Sequence, residues 1–136
     1  MTVHFILGLC GAGKTTLVQS LKSIYPQLKC FMADRDTRYY YRKLRRALFA
    51  GKDCIVEDIC MCLSPYRHWM ESYLSTVAEL KIHYIAFENN VRACNWNCAM
   101  RRKRDPRAHL RINRRLHYRY TIPGSAKILP VLEFGR

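Results

Sequence analysis

Gly8-Leu9-Cys10-Gly11-Ala12-Gly13-Lys14-Thr15 has the spacing of a phosphate cradle: a glycine, four residues, then glycine, lysine and threonine. Each residue type has a physical task there. Glycines let the backbone curl so that successive N–H groups face phosphate oxygens. The N-terminus of a following helix adds the positive end of its dipole. Lys14 is expected to reach the β- and γ-phosphates, and the Thr15 hydroxyl to ligate Mg²⁺. Gly11, Ala12, Gly13, Lys14, Thr15 and Thr16 are the expected contacts to a nucleoside triphosphate. The bland reading is a glycine-rich turn with an incidental lysine. It is disfavoured because an apolar run precedes the motif and a helical pattern follows it, as a cradle requires.

The loop alone leaves open whether the γ-phosphate goes to water or to a substrate hydroxyl. A hydroxyl is a poor nucleophile until a base orients it and takes its proton. A second apolar run ends in Ala33-Asp34-Arg35-Asp36-Thr37-Arg38, and ligands of open parallel sheets bind beyond the carboxyl ends of the strands. Asp34 and Asp36 are thus the candidate bases, with Asp36 preferred and helix capping as the alternative for either. A third run ends in Ile55-Val56-Glu57-Asp58, apolar residues followed by acids, which resembles a Walker B site. Asp58 is expected to hold a Mg²⁺-bound water or to hydrogen-bond Thr15. The alternative is a solvated acidic pair at a strand end.

The remaining chemistry is positive charge. Lys and Arg number 24 against 10 Asp and Glu, a formal net charge of +14. Ten of the cations fall between Arg92 and Arg119, where Asp105 is the one acid. So dense a run repels itself unless anions neutralise it. Arg107, Arg111, Arg114 and Arg115 share one helical stripe, and Arg38, Arg42 and Arg45 another. One set suffices to clamp a triphosphate, and the surplus points to a polynucleotide acceptor. Tyr39, Tyr40, Tyr41 and Trp96 are available to stack bases, although Tyr41 reads as readily as core. The competing reading is a solvated basic face.

The elements that must position these residues follow from apolar spacing. Strands are expected at Val3–Leu9, Leu28–Ala33, Asp53–Ile59, Leu80–Phe87 and Lys127–Leu132. Helices are expected at Lys14–Ile24, Thr37–Ala50, from a Ser64-Pro65 cap through Trp69, Tyr73 and Val77, from Asn90 to about Arg101, and at Arg107–Tyr118. Alternating strands and helices predict an α/β fold with a five-stranded parallel sheet and helices on both faces. At 136 residues and 49% hydrophobic content, one domain over 1–136 with a real core is expected, not a disordered basic tail. No run is long enough to span a membrane, and nothing resembles a signal peptide, so a cytoplasmic protein is expected. The seven cysteines include Cys60-x-Cys62 and Cys94-x-x-x-Cys98, which read as packing residues in preference to a zinc site.

The cradle, the Arg35-Asp36-x-Arg38 segment, Glu57-Asp58 and the arginine-rich stretch after Phe87-Glu88-Asn89 occur in an order that resembles the polynucleotide-kinase-like P-loop kinases of bacteriophages and bacteria. The resemblance implies a P-loop kinase fold with an arginine-rich helical lid, here with the basic helices over about 90–119. It implies ATP and Mg²⁺, and transfer to a nucleic-acid hydroxyl: a 5′ end, or a hydroxymethylated base as in small phage kinases that act on DNA. DNA is expected over RNA, and host cytoplasm if the chain is phage-encoded. Residue by residue, the resemblance makes Asp36 the base, Arg38 a contact to the acceptor phosphate, and Arg101 or Arg104 the lid arginine on the ATP phosphates. Asp34, Arg42, Arg107, Arg111 and Arg114 complete the expected substrate surface. A kinase of mononucleotides, nucleosides or other small molecules is the second reading, and a nucleotide-gated nucleic-acid-binding protein without phosphoryl transfer the third.

Overall fold

The computed structural model describes residues 1–33, 39–101 and 105–134. Asp34, Asp36, Arg38 and Arg104 lie outside the described residues. Along the chain come β1 (Thr2–Leu7), α1 (Lys14–Ile24), β2 (Lys29–Met32), α2 (Tyr40–Phe49), β3 (Cys54–Glu57), a 3₁₀ turn (Ile59–Cys62), α3 (Ser64–Leu74), β4 (Lys81–Phe87), α4 (Val91–Met100), α5 (Arg107–Leu116) and β5 (Lys127–Leu129). Among the described residues the strands form one parallel sheet in the order β2-β3-β1-β4-β5.

The central strand has its middle and end fully enclosed. Phe5, Ile6 and Leu7 are consecutive and wholly buried, which an alternating strand allows only when both sheet faces are covered. The edge strands β2 and β5 are short and partly exposed, a common way to blunt unpaired backbone. The connection from β1 to β2 runs in one direction across the sheet, and every later connection runs in the other. Right-handed crossovers therefore put α1 on one face and α2 and α3 on the opposite one. The order reverses between β1 and β3, so their carboxyl ends border the crevice where an α/β sheet binds ligands.

Several boundaries differ from the sequence expectation, each for a local reason. The third strand stops at Glu57, because Asp58 turns the chain into the 3₁₀ segment and its Oδ1 accepts from the Cys60 N–H at 2.9 Å. Leu63, not Ser64, occupies the N-cap position of α3, where no side chain caps, and Pro65 sits in the first turn. The last strand ends at Leu129, where Pro130 cannot continue a ladder. Ile24, expected on the inner face of α1 with Leu17 and Leu21, is 66% exposed, and Val18 is the buried residue of that helix together with Lys14. Gly51 ends α2 as expected, with φ of 78° and its N–H donating to the Leu48 carbonyl at 2.9 Å. No helix among the described residues is long and apolar enough to cross a membrane.

Candidate active site

The loop after β1 depends on glycine twice. Gly11 (φ 86°) and Gly13 (φ 110°) adopt left-handed backbone conformations, Gly13 as the residue that opens α1. A Cβ on Gly11 would also lie 2.4 Å from the Cys94 carbonyl oxygen and 2.9 Å from the Cys98 Sγ. Cys94 and Cys98 are thus a packing surface for the loop, and burial pushes the Cys94 thiol up to about 12.

Two buried asparagines on α4 and α5 hold the loop beside these cysteines. Asn113 of α5 is fully buried; its Oδ1 accepts from the Cys10 N–H at 2.8 Å, and its Nδ2 donates to the Cys10 carbonyl at 2.9 Å and Asn95 Oδ1 at 3.0 Å. Asn97 of α4 donates to the Gly11 and Leu132 carbonyls at 2.9 and 2.8 Å and accepts from the Phe134 N–H at 2.8 Å. Both carboxamides are used on their donor and acceptor sides, so the loop is pinned at Cys10 and Gly11 before any ligand arrives. Sequence reasoning did not single out these residues. The available signal was asparagine, a weak helix former, inside two helical patterns.

Lys14 is buried although it stands where the loop meets α1. Its Nζ donates to the Gly8 and Leu9 carbonyls at 2.7 and 2.9 Å. The Thr15 hydroxyl donates to the Glu57 carboxylate at 3.2 and 3.3 Å from its two oxygens. The expected bond from Thr15 to Asp58 is not made, and Glu57 takes that place. Glu57 pairs with Ile6 at the end of β1, beside the loop. Asp58, one residue on, turns toward α2, where it is buried and accepts from the Tyr40 hydroxyl at 2.5 Å. Burial and this carboxylate hold the Tyr40 phenol well above its usual range. The Asp58 carboxylate thus ties the end of β3 to the 3₁₀ turn and to α2.

A cavity of about 440 Å³ joins these groups. Residues 10–16, including Thr16, form its floor; Ala33 and Glu57 stand at the strand ends; Arg101, His109 and Phe134 complete the lining. All six expected nucleotide contacts and Arg101 are therefore brought together. The Ala33 N–H donates to the Glu57 carbonyl at 3.0 Å, which holds Ala33 at the rim of this cavity. Thr15 and Glu57 present a hydroxyl and a carboxylate at one point, the hard-oxygen donor set that suits Mg²⁺.

Arg107, Arg111 and Arg114 are not part of that cavity. With Arg92, Trp96 and Leu110 they line a separate groove of about 710 Å³ between α4 and α5, where Glu133 is the acid. Helix α5 shows His109 and Ile112 to the phosphate cavity and Arg107, Arg111 and Arg114 to the groove, from opposite faces, while Arg115, expected on the same stripe, lines neither. Arg42 is elsewhere again, with its guanidinium 4.9 Å from the centre of the Tyr39 ring.

No protein-family model matches the chain, and no curated protein matches it. Solved structures do. A fungal RNA kinase aligns with a TM-score of 0.70 at 13% identity, over 99% of this chain and 76% of its own. The chain has the P-loop kinase fold. A gluconokinase from Sinorhizobium meliloti 1021 aligns at a TM-score of 0.70 and 10% identity, over 97% of this chain and 83% of its own. Kti12 from Chaetomium thermophilum, solved in complex with ADP-AlF3, aligns at 0.61 and 18% identity, over 94% and 88%. One fold thus carries proteins named for different acceptors, so the acceptor of this chain must be argued from its own side chains.

Proposed function

We propose that this protein is an ATP- and Mg²⁺-dependent kinase that transfers the γ-phosphoryl group to a hydroxyl of a nucleic acid. The observation that carries the reading is the single cavity in which the loop backbone, Lys14, the Thr15–Glu57 pair and Arg101 converge. Mg²⁺ held near Thr15 and Glu57 would offset charge on the β- and γ-phosphates. Lys14 exchanges its bonds to Gly8 and Leu9 for phosphate oxygens, and Arg101, with Arg104 as the second lid cation, balances the charge that develops on transfer. Asp36, with Asp34 as the alternative, takes the acceptor hydroxyl proton. The hydroxyl oxygen bonds to the γ-phosphorus as its bond to the bridging oxygen breaks, and ADP leaves with that electron pair. Arg38 and Arg42 hold the acceptor end, and Arg107, Arg111 and Arg114 hold more distant phosphates.

The surplus of cations favours a nucleic acid over a small acceptor. The phage-kinase resemblance implies DNA, while one structural neighbour is named an RNA kinase, so both belong in the test. The gluconokinase neighbour keeps a small hydroxylated acceptor as the second reading. The deciding experiment supplies γ-labelled ATP and Mg²⁺ with 5′-hydroxyl DNA and RNA oligonucleotides, hydroxymethyl-base DNA, nucleosides and sugar acids. Label in an oligonucleotide is the expected result. Label confined to a small acceptor selects the second reading, and nucleotide-dependent oligonucleotide binding without transfer selects a binding protein.

A further inference from the structure

Helices α2 and α3 carry an aromatic stripe in which Tyr41, Tyr66 and Tyr73 pack half-buried against the core and Tyr39 and Trp69 stay exposed. Their inner faces are already satisfied by Leu44 and Leu48 of α2 and by Met70 and Leu74 of α3, all fully buried. One step around each helix lies a second stripe, Tyr41 with Arg45 on α2 and Tyr66, Trp69 and Tyr73 on α3. The stripes meet. Trp69 and Tyr73 are nearly parallel, with ring centres 5.4 Å apart, and Tyr41 stands edge-on to both at 5.1 and 5.3 Å. Tyr39 extends the group, edge-on to Tyr41 at 5.9 Å. The cluster is not sealed: Trp69 remains 43% exposed and Tyr39 46%. A contiguous aromatic patch left in water is the kind of surface that marks a binding site.

Its borders say what it binds. The Arg45 guanidinium lies 4.4 Å from the centre of the Tyr73 ring, and Arg42 covers Tyr39. Helix α2 adds Lys43 and Arg46 and contains no acid. The one acid of α3, Glu71, accepts from the Tyr84 hydroxyl on β4. Rings interleaved with cations match a ligand that alternates flat apolar groups with negative charges, which is a single-stranded nucleic acid. Location is compatible: α2 and α3 follow β2 and β3, so both helices begin at the carboxyl end of the sheet, the end that also carries the phosphate cavity.

We propose that this α2–α3 face is the platform on which unpaired bases of the acceptor strand stack. The proposal rests on the nucleic-acid reading above and names its acceptor as single-stranded next to the reacting hydroxyl. The chain has two tryptophans, one on this platform and one in the α4–α5 groove, so each surface carries its own reporter. In W96F, Trp69 is the sole indole, and titration with a short 5′-hydroxyl oligonucleotide should quench its fluorescence saturably. W69A should raise the KM of that oligonucleotide about 10-fold, leave the KM of ATP unchanged, and leave an abasic oligonucleotide of equal length unaffected. Three results would overturn the proposal. The first is a silent Trp69, with quenching confined to Trp96 in W69F. The second is equal KM values for abasic and base-bearing strands in the wild type. The third is a W69A variant that only converts a dimer to a monomer in sedimentation, which would make the patch a contact with a second copy. Quenching of Trp69 without any phosphoryl transfer would sink the kinase reading and leave the platform standing.

Discussion

The two flanks of the phosphate cavity are built from different chemistry. On the α2–α3 flank, arginines lie against rings, and the rings lie against one another. On the α4–α5 flank, four arginines line an open groove with Trp96 as the one aromatic lining residue. Stacking needs contact and acts over a few ångströms, whereas a row of cations acts over about a Debye length, roughly 8 Å at physiological salt. Under the proposed nucleic-acid reading, the first flank would fix the reacting end of a strand and the second would retain its remainder whatever the sequence. Between them the reaction depends on neither rings nor the row of arginines but on the loop, and variants can be ranked by how directly they touch it.

The largest effect is expected at Lys14. Lys14→Met should cut transfer by about 10²- to 10³-fold, the scale for loss of one group stabilising transition-state charge. Because the ammonium also bonds the Gly8 and Leu9 carbonyls, thermal unfolding should be followed alongside. A folded Lys14→Met enzyme with wild-type turnover would end the kinase reading and leave both flanks as binding surfaces.

Next is Asp36. Asp36→Asn preserves shape and removes the base, and should slow transfer by about 10²-fold with ATP binding little changed. If Asp34→Asn is the crippled variant, the base is Asp34. If both variants turn over normally, these carboxylates are caps and the acceptor flank contributes binding alone.

The third effect tests whether the α4–α5 flank also supports the loop. Asn113 sits on α5 with its outer neighbours in the groove, yet its carboxamide holds Cys10. Asn113→Leu leaves a buried N–H and a buried carbonyl without their partner, at a cost of roughly 1–3 kcal/mol each. The expected result is a lower melting temperature and weaker ATP binding, with oligonucleotide binding through the arginines retained. Unchanged ATP affinity would show that the loop holds its shape without α5.

How much of this was legible in the chain depends on how local each interaction is. The cradle was readable because its glycines, lysine and threonine act within one turn of chain, and the parallel sheet because its strands are short apolar runs between helical patterns. The choice between Glu57 and Asp58 was not. Two adjacent acids look alike until it is known that β3 ends at Glu57 and that Glu57 pairs with Ile6. Asn97 and Asn113 were hidden because their loop partners lie 86 and 103 residues away. The aromatic platform was half visible: the Tyr39–Tyr41 run suggested stacking, but Tyr40 proved to be core. Trp69 and Tyr73 gain their meaning only from packing between helices.

The smallest effect separates the flanks most cleanly, because it is read as a slope. Each phosphate neutralised on a single strand releases counterions, and log K falls with log salt by about 0.7 per contact. Arg111 and Arg114 line the groove and face away from the phosphate cavity, so Arg111→Gln with Arg114→Gln should remove up to two contacts without touching ATP. Oligonucleotide affinity should drop similarly for every sequence, and the salt slope should flatten by about 1.4. The W69A variant should do the reverse, weakening base-bearing strands at all salt concentrations while the slope stays put, since a stacked ring displaces no counterion. A shallow wild-type slope that the double variant leaves unchanged would make the groove a solvated face. A small acceptor would then become the better reading of the cavity.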